Sequence, residues 1–100
     1  MSSASARIHP AALEEAEAAA EWYGRRSMRA AWMFLDELDH AIDRIADHPG
    51  QFPEYAFGTR RMVLQRFPYF VVFRETAAGV EIIALAHGRR RPGYWRGRVE

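Results

Sequence analysis

The densest group of residues capable of chemistry lies near the C-terminus, in the segment HGRRRPGYW at residues 87–95. Three consecutive arginines, Arg89, Arg90 and Arg91, stand between one histidine and two aromatic residues, and the segment contains no acid. The planar guanidinium group binds phosphates and carboxylates through paired hydrogen bonds, and aromatic rings offer surfaces for stacking. The segment therefore indicates contact with an anionic partner; a solvated basic tail is the alternative.

The dipeptide Pro92-Gly93 separates the arginines from the two aromatic residues. Because proline followed by glycine is typical of a tight turn, we expect Tyr94 and Trp95 to fold back onto the protein. They would then anchor the turn or stack against a target, which favours a docking role over a frayed tail. Three more arginines flank the first long strand. The complete set of candidate binding residues is Arg60, Arg61, Arg66, Arg89, Arg90, Arg91, Tyr94 and Trp95.

The formal net charge of +1 hides an uneven distribution of charge along the chain. Residues 1–58 carry five arginines and ten acids, whereas residues 59–100 carry nine arginines and three acids. The two parts have net charges of −5 and +6, which suggests that the C-terminal part meets an anionic partner. All fourteen cationic residues are arginine, so no lysine is available as a base or as a Schiff-base amine.

Other kinds of site lack suitable residues. The four histidines are scattered without the spacing of metal ligands, so we expect no metal site, and we expect no cofactor either. Serine occurs only at positions 2, 3, 5 and 27, which is poor material for a nucleophilic triad. Glu14, Glu17 and Glu21 have the spacing of a solvated helix face, which we favour over an acid–base pair.

The composition is typical of one globular domain, and we expect residues 1–100 to form a single domain. The absence of cysteine fits a reducing cytosol, and the N-terminal MSSASAR lacks the apolar stretch of a signal peptide. No apolar run approaches the length of a membrane span. We therefore expect a cytoplasmic protein without membrane association.

The N-terminal part has the pattern of a short strand followed by a helical hairpin. Residues 6–9 form the candidate strand. The next residues form a helix, with Pro10 in its first turn and Gly24 as its C-terminal cap. Ser27 is the candidate N-cap of a second helix that ends near Asp47. Apolar residues of this second helix recur every three or four positions and form one stripe: Met28, Ala31, Trp32, Leu35, Leu38, Ile42 and Ile45.

After residue 58 the pattern changes to short β-rich runs, which predict strands near residues 60–65, 69–75 and 80–87. Their short connections require antiparallel neighbours. The predicted fold class is α+β, with the short N-terminal strand and a two-helix hairpin packed on one face of an antiparallel β-meander. Because Trp22 lies off the main stripe of its helix, we expect part of the helical surface to be available to a partner.

Three segments together resemble the ParE/RelE superfamily of toxins from type II toxin–antitoxin modules, many of which are labelled plasmid-stabilisation proteins. The segments are HPAALEEAEAAAEWY, RRMVLQRFPYFVVFRE and IIALAHGRRRPGYW. The resemblance covers nearly the whole chain and follows the ParE-like branch, so it implies that residues 1–100 form a single toxin-like domain. Its specific part is RFPYFVVF followed by AHGRRRPGYW. It implies a short strand, a two-helix hairpin and a three-stranded antiparallel meander, in agreement with the pattern of the residues.

The resemblance implies one of two activities. ParE-like members poison DNA gyrase by binding, whereas RelE-like members are endonucleases that cut mRNA on the ribosome. Both are neutralised by an antitoxin, so we expect a cognate antitoxin as partner and a toxin–antitoxin hetero-oligomer. RelE-like nucleases commonly place an arginine where this chain has Tyr69-Phe70, and they use lysines, which this chain lacks. We therefore favour the gyrase inhibitor; the alternative is the ribosome-dependent mRNA endonuclease.

If the chain is a nuclease, the candidate catalytic residues are Arg90 and Tyr94, which the resemblance implies, together with His87. Arginine stays protonated at any working pH, and tyrosine has an ordinary pKa near 10, so neither is a ready base. His87 is the one nearby residue of a type that titrates near neutral pH. The catalytic assignment stays open at this point. The antitoxin segment is expected to bind as an added strand or an amphipathic helix, with acids near the basic part.

Overall fold

The computed structural model describes residues 6–99. Its helices and longer strands follow one another in the predicted order: β1 (Ala6–Ile8), α1 (Pro10–Gly24), α2 (Met28–Asp47), β2 (Arg60–Val63), β3 (Tyr69–Thr76) and β4 (Gly79–His87). Short 3₁₀ helices lie at Pro49–Gln51, Ala56–Gly58 and Arg96–Arg98. The predicted α+β class is confirmed, and the helical hairpin packs on one face of the sheet.

The four strands form one sheet in the order β1-β4-β3-β2. Strands β2, β3 and β4 make the predicted antiparallel meander. Strand β1, in contrast, runs parallel to β4, with Ala6 opposite Val80 and Ile8 opposite Ile82. The sheet is therefore mixed and not wholly antiparallel as the strand pattern suggested. Both helices and two strands separate β1 from β4 in the chain, so no short turn imposes an antiparallel direction on this pair.

Local signals set the starts of both helices where the sequence predicts them. At the end of α1 the C-terminal cap is Arg25, and the predicted cap Gly24 is still helical. The Ser27 hydroxyl accepts a hydrogen bond from the Ala30 N–H at 3.2 Å and thereby caps α2. At the start of α1, the Nδ1 atom of His9 accepts a bond from the Ala11 N–H at 3.0 Å. Strand β2 is shorter than predicted, because Leu64 already belongs to the connection with β3.

The buried face of α2 differs from the predicted stripe. The buried residues of this helix are Ala31, Phe34, Leu38, Ala41 and Ile45. Three residues of the predicted stripe are instead exposed, by 63%, 66% and 40%: Met28, Trp32 and Leu35. The reason is an aromatic cluster at the end of the hairpin, where the Phe34 ring lies 5.4 Å from that of Tyr23 and 5.3 Å from that of Phe67. This cluster directs Phe34, and not Leu35, towards the sheet.

Both faces of the sheet are covered within the described residues. The two helices bury one face, where Val71 and Phe73 contribute to the larger core. The opposite face carries a second core, formed by Val72, Ile83, Ala84 and Trp95. Although Ile83 and Ala84 are neighbours in the chain, both belong to this second core, because the strand pairing shifts register beside Val72. The second core attaches the C-terminal segment to the sheet.

Candidate functional site

The residues after β4 fold back over the face of the sheet that the helices leave open. Trp95 is the anchor of this segment: it is 1% exposed and packs against Val72, Ile83 and Ala84. The expected fold-back is therefore confirmed. Trp95 was one of the candidate binding residues. This prediction is corrected, because a side chain buried against the sheet is not accessible to a partner.

The turn that leads to this anchor requires glycine at position 93. Gly93 has a φ angle of 80°, a conformation that side chains disfavour. A Cβ atom at this position would also lie 2.7 Å from a ring carbon of Phe57. The Phe57 ring in turn packs against Trp95, with ring centroids 5.8 Å apart. The predicted turn is thus part of the packing around the anchor.

An ion cluster ties the same segment to α1. The two carboxylate oxygens of Glu15 accept hydrogen bonds from the two terminal nitrogens of Arg98, at 2.8 and 3.1 Å. The Tyr94 hydroxyl donates to Glu15 Oε2 at 2.6 Å. Because the side chains of Glu15 and Arg98 are only 18% and 19% exposed, water screens this pair weakly. The cluster therefore fixes the C-terminal segment through charge-assisted hydrogen bonds.

The same cluster closes an open edge of the sheet. Strand β1 pairs with β4 only as far as Ile82, so later β4 residues lack a neighbouring strand on that side. There the Leu85 N–H donates to Glu15 Oε1, and the Ile83 carbonyl accepts from Arg98 Nη1, both at 3.1 Å. Buried main-chain groups need such partners. Glu15 and Arg98 thus replace the hydrogen bonds that a longer β1 would provide.

The environment of Tyr94 keeps its hydroxyl protonated. Burial raises the pKa of Tyr94 well above its ordinary value near 10, and the hydrogen bond to Glu15 raises it further. The positive charges of Arg98 and Arg90 oppose this rise without cancelling it. At neutral pH the phenol can therefore donate a proton in a hydrogen bond, but it cannot accept one as a general base.

The side chains of Arg89, Arg90 and Arg91 are exposed. Within residues 6–99, none of the three makes a salt bridge to a carboxylate. The Arg90 guanidinium carbon lies 3.9 Å from the centroid of the Tyr94 ring. This cation–π contact holds the guanidinium plane while the N–H groups stay exposed to solvent. The arginines thus present positive charge that the described part of the protein does not neutralise.

The three residues named for the nuclease alternative line one pocket of about 470 Å³. They are His87, Arg90 and Tyr94. The Nδ1 atom of His87 accepts the main-chain N–H of Arg89 at 3.0 Å, so this nitrogen is already occupied. The other aromatic residues of the pocket wall come from the end of α1 and the start of β3: Trp22, Tyr23 and Tyr69.

The remaining arginines of the candidate set lie elsewhere and line no part of that pocket. Arg60 donates to the Phe52 carbonyl at 2.8 Å, so it ties β2 to the preceding loop. Arg61 lies over the Tyr55 ring, with its guanidinium carbon 4.4 Å from the ring centroid. Arg66 is exposed in the connection between β2 and β3. The structure thus separates the candidate arginines into two groups.

Glu15 and Arg98, which fix the C-terminal segment beside the pocket, are not among the candidate residues predicted from the sequence. Glu15 lies between the buried residues Ala12 and Ala19 on α1, so an acid on the buried side of a helix was a usable signal. Arg98 offered no comparable signal, because only the fold-back of the chain brings it to α1.

No helix within residues 6–99 is long and apolar enough to cross a bilayer. Over the same range, no three His, Cys, Asp or Glu residues are grouped as metal ligands would be.

Comparison with known families decides the relationship. The family model described as "ParE toxin of type II toxin-antitoxin system, parDE" matches residues 6–92. The chain belongs to the ParE toxin family. The matched region of this ParE toxin includes Arg89, Arg90 and Arg91 but ends before the Trp95 anchor and before Arg98.

A solved structure agrees with the ParE assignment at the level of the fold. The structure is that of the "Chromosomal ParDE TA system from P. aeruginosa", to which the chain aligns with a TM-score of 0.74 at 17% sequence identity. The alignment covers 84% of this chain and 95% of the other. A search of curated proteins found no match. The expected relationship and the predicted fold are both confirmed.

Proposed function

We propose that this ParE-family toxin inhibits DNA gyrase in the cytoplasm by binding and not by cleaving RNA. The observation that carries the proposal is the exposed row Arg89–Arg91, which has no carboxylate partner within residues 6–99. Guanidinium groups of this kind bind the carboxylates of a protein or the phosphates of its DNA. The buried Trp95 and the Glu15–Arg98 pair attach the segment that follows Arg89–Arg91 to the sheet and to α1. This attachment limits the motion of the arginines and so lowers the entropic cost of docking.

The protonation state of the site also supports recognition over catalysis. Cleavage of RNA needs a base for the 2′-hydroxyl, an acid for the leaving oxygen and stabilisation of negative charge on the phosphate. Arginines meet only the third need, because they stay protonated. Tyr94 cannot act as the base at neutral pH, because burial raises its pKa and its hydroxyl donates to Glu15.

The RelE-like alternative is supported by one observation, namely that Arg90, Tyr94 and His87 line the same pocket. In that mechanism His87 would accept the proton through the ring nitrogen that does not bind the Arg89 N–H. Arg90 would stabilise the phosphate, and Tyr94 would orient the substrate.

Controlled expression of the toxin in a gyrase-dependent bacterial host separates the two functions. The inhibitor should trap gyrase–DNA complexes or abolish supercoiling while messenger RNA stays intact at first. Transcripts cut on ribosomes within minutes, with normal supercoiling, would contradict the proposal. The Tyr94→Phe variant sharpens the test, because loss of such cutting in a folded Tyr94→Phe protein would assign Tyr94 to catalysis.

A cognate antitoxin is proposed to neutralise the toxin and to form a hetero-oligomer with it. An apolar groove of about 360 Å³ lies between α1 and α2, and exposed Leu13 and Leu35 are among its lining residues. Glu17 and Asp39 also line it. An amphipathic antitoxin helix would place its apolar face in this groove and basic residues beside the two acids. Acidic residues of the same antitoxin would then face the exposed arginines.

Co-purification with the product of the neighbouring gene tests this docking. The Leu35→Asp variant should bind the antitoxin more weakly, because it places a charge in the apolar groove. Asp36→Asn, at the next exposed position of α2, is the matched control and should bind normally. A neighbour that never associates with the toxin, even at low salt, would count against the antitoxin partner.

A further inference from the structure

The solvent-facing side of α2 carries an apolar patch that no element within residues 6–99 covers. Met28, Trp32 and Leu35 are all exposed, and their spacing of four and three positions places them on one face of the helix. Large apolar side chains that are exposed side by side are typical of a surface that meets another protein. We call this surface, which also includes the exposed Arg29 and Asp36, the α2 face.

The two charged residues lie along one edge of the α2 face. Arg29 precedes Asp36 by seven positions, which is about two helical turns, so both project on the same side of Trp32. This edge is turned towards the connection between β2 and β3, where Asp36 lines a shallow depression, whereas Leu35 lines the groove beside α1. Within residues 6–99, Arg29 makes no salt bridge, and Asp36 makes only an exposed one to His40, at 3.7 Å. Both charges are therefore available to a partner.

The positions of these residues make the α2 face complementary to itself. When two copies of α2 pack antiparallel about a two-fold axis beside Trp32, each edge of the face meets the same edge of the other copy. A residue three positions before Trp32 then lies within about 1.5 Å, along the axis, of one four positions after it. Arg29 thus meets Asp36 of the second copy on one edge, and Met28 meets Leu35 on the other. Parallel packing would instead place like charges opposite each other.

We propose that the α2 face binds a second copy of this toxin, with the two α2 helices antiparallel and centred on Trp32. The two tryptophans form the centre of the interface, and the ion pairs at its edge fix the register. One helix from each copy buries less than the roughly 1,200–2,000 Å² of a stable interface, so the dimer is weak and forms at high toxin concentration. An anionic lipid surface fits the face less well, because it would meet the exposed Asp36 and Asp39.

The inference goes beyond the proposed function and depends on neither gyrase nor the antitoxin. The groove proposed for the antitoxin shares Leu35 with the α2 face but is not lined by Trp32. Variants of Trp32 therefore distinguish the second copy from the antitoxin.

Sedimentation of the purified full-length toxin over a range of concentrations tests the inference. The average mass should rise from the 11.5 kDa of one chain towards that of a dimer. Trp32→Ala should weaken dimerisation at least about 30-fold, because it removes the centre of the interface from both copies. Trp22→Ala, which changes an exposed tryptophan at the end of α1, is the matched control and should dimerise normally. Circular dichroism of each variant checks that the fold is kept.

Charge reversal tests the pairing across the interface. Asp36→Arg should weaken dimerisation about 10-fold, because two ion pairs become two repulsive contacts, and Arg29→Asp should do the same. The double variant with both changes should recover the affinity, since the ion pairs form again with their charges exchanged. Glu54→Arg is the matched control: it changes the net charge as Asp36→Arg does, at an exposed position outside α2, and should have no effect.

Disulfide formation tests the direction of the helices, and the natural chain contains no cysteine that could interfere. The Met28→Cys and Leu35→Cys proteins are mixed and oxidised, and mass spectrometry identifies the linked species. The mixed disulfide between positions 28 and 35 should dominate. Predominant links between identical positions would mean a parallel pair and would overturn the proposed geometry.

Three further results would overturn the inference. One is a toxin that stays monomeric at millimolar concentration, and a second is equal dimerisation of the unmodified toxin and Trp32→Ala. The third is a double charge variant that dimerises no better than Asp36→Arg alone. A monomeric toxin whose binding to the antitoxin is lost in Trp32→Ala would assign the α2 face to the antitoxin instead.

Discussion

The basic C-terminal segment, residues 88–99, consists of a first half before the turn at Pro92-Gly93 and a second half after it. The two halves use the same residue types in opposite ways. In the second half, Arg98 binds both oxygens of Glu15 and is largely shielded from water. In the first half, Arg90 rests on the Tyr94 ring, and no carboxylate within residues 6–99 neutralises it. The difference shows that a run of basic residues is not one functional unit, because the fold decides which cations stabilise it and which can bind a partner.

The cause of the difference is the turn between the halves. It directs Trp95 into the second core and thereby carries Arg98 to the side of α1. The arginines before the turn stay on the surface. Substitutions after the turn should therefore lower stability, and substitutions before it should lower binding alone. The following predictions test this division, in order of decreasing effect on stability.

Trp95→Ala should have the largest effect, a loss of about 3–5 kcal/mol in the free energy of unfolding, because it removes the centre of the second core. Urea denaturation followed by circular dichroism measures the loss. Trp32→Ala is the matched control; since Trp32 is 66% exposed, its change should stay within about 0.5 kcal/mol. Equal costs for the two tryptophans would show that the C-terminal segment is not anchored as described.

Glu15→Ala should cost about 2–4 kcal/mol, because it leaves Arg98 and the Leu85 N–H without their partner. The same denaturation experiment applies. Glu14→Ala, at the adjacent exposed position of α1, should cost much less. A similar small cost at both positions would mean that the ion pair contributes nothing to the attachment of the segment.

Tyr94→Phe should cost about 1–2 kcal/mol at neutral pH through the loss of one hydrogen bond to a charged acceptor. The variant keeps the ring and hence the support under Arg90. Binding of the partner should therefore change little in Tyr94→Phe. A stability equal to that of the unmodified toxin would contradict the hydrogen bond to Glu15.

Alkaline pH should lower the free energy of unfolding, because the stabilising contribution of Tyr94 in the second half of the segment is lost there. Because the pKa of Tyr94 is raised in the folded state, its contribution to stability is full below the unfolded pKa near 10. The contribution is lost as pH rises above that value towards the folded pKa. Stability should thus fall more steeply above about pH 10 in the unmodified toxin than in Tyr94→Phe. Parallel curves for the two proteins would refute the raised pKa.

Replacement of Arg89, Arg90 and Arg91 together by alanine should have the smallest effect on stability, within about 0.5 kcal/mol for exposed and unpaired side chains. The same variant should lose most of its toxicity if the row contacts the target. Survival after induced expression measures the toxicity. A destabilised triple variant, or one that is fully toxic, would contradict the division into a binding first half and a stabilising second half.

Much of the fold follows from signals that lie within a few residues of one another. The Ser27 cap, the turn at Pro92-Gly93 and the change from helical to strand-like spacing near residue 58 each predict a local conformation, and each is present in the structure. Local periodicity predicts the buried face of α2 less well. It does not distinguish Leu35 from Phe34, and contacts with Tyr23 and Phe67 decide between them.

By itself, the sequence determined the elements, their order and the concentration of positive charge near the C-terminus. Tertiary structure alone decided how that charge is used. Glu15 and Arg98 are 83 positions apart in the chain, and their pairing depends on the path of the whole chain between them. Periodicity and capping act over one or two turns, whereas pairing and burial depend on which distant residues the packed sheet brings together. For this reason the arginines before and after the turn look alike in the sequence and differ in the folded protein.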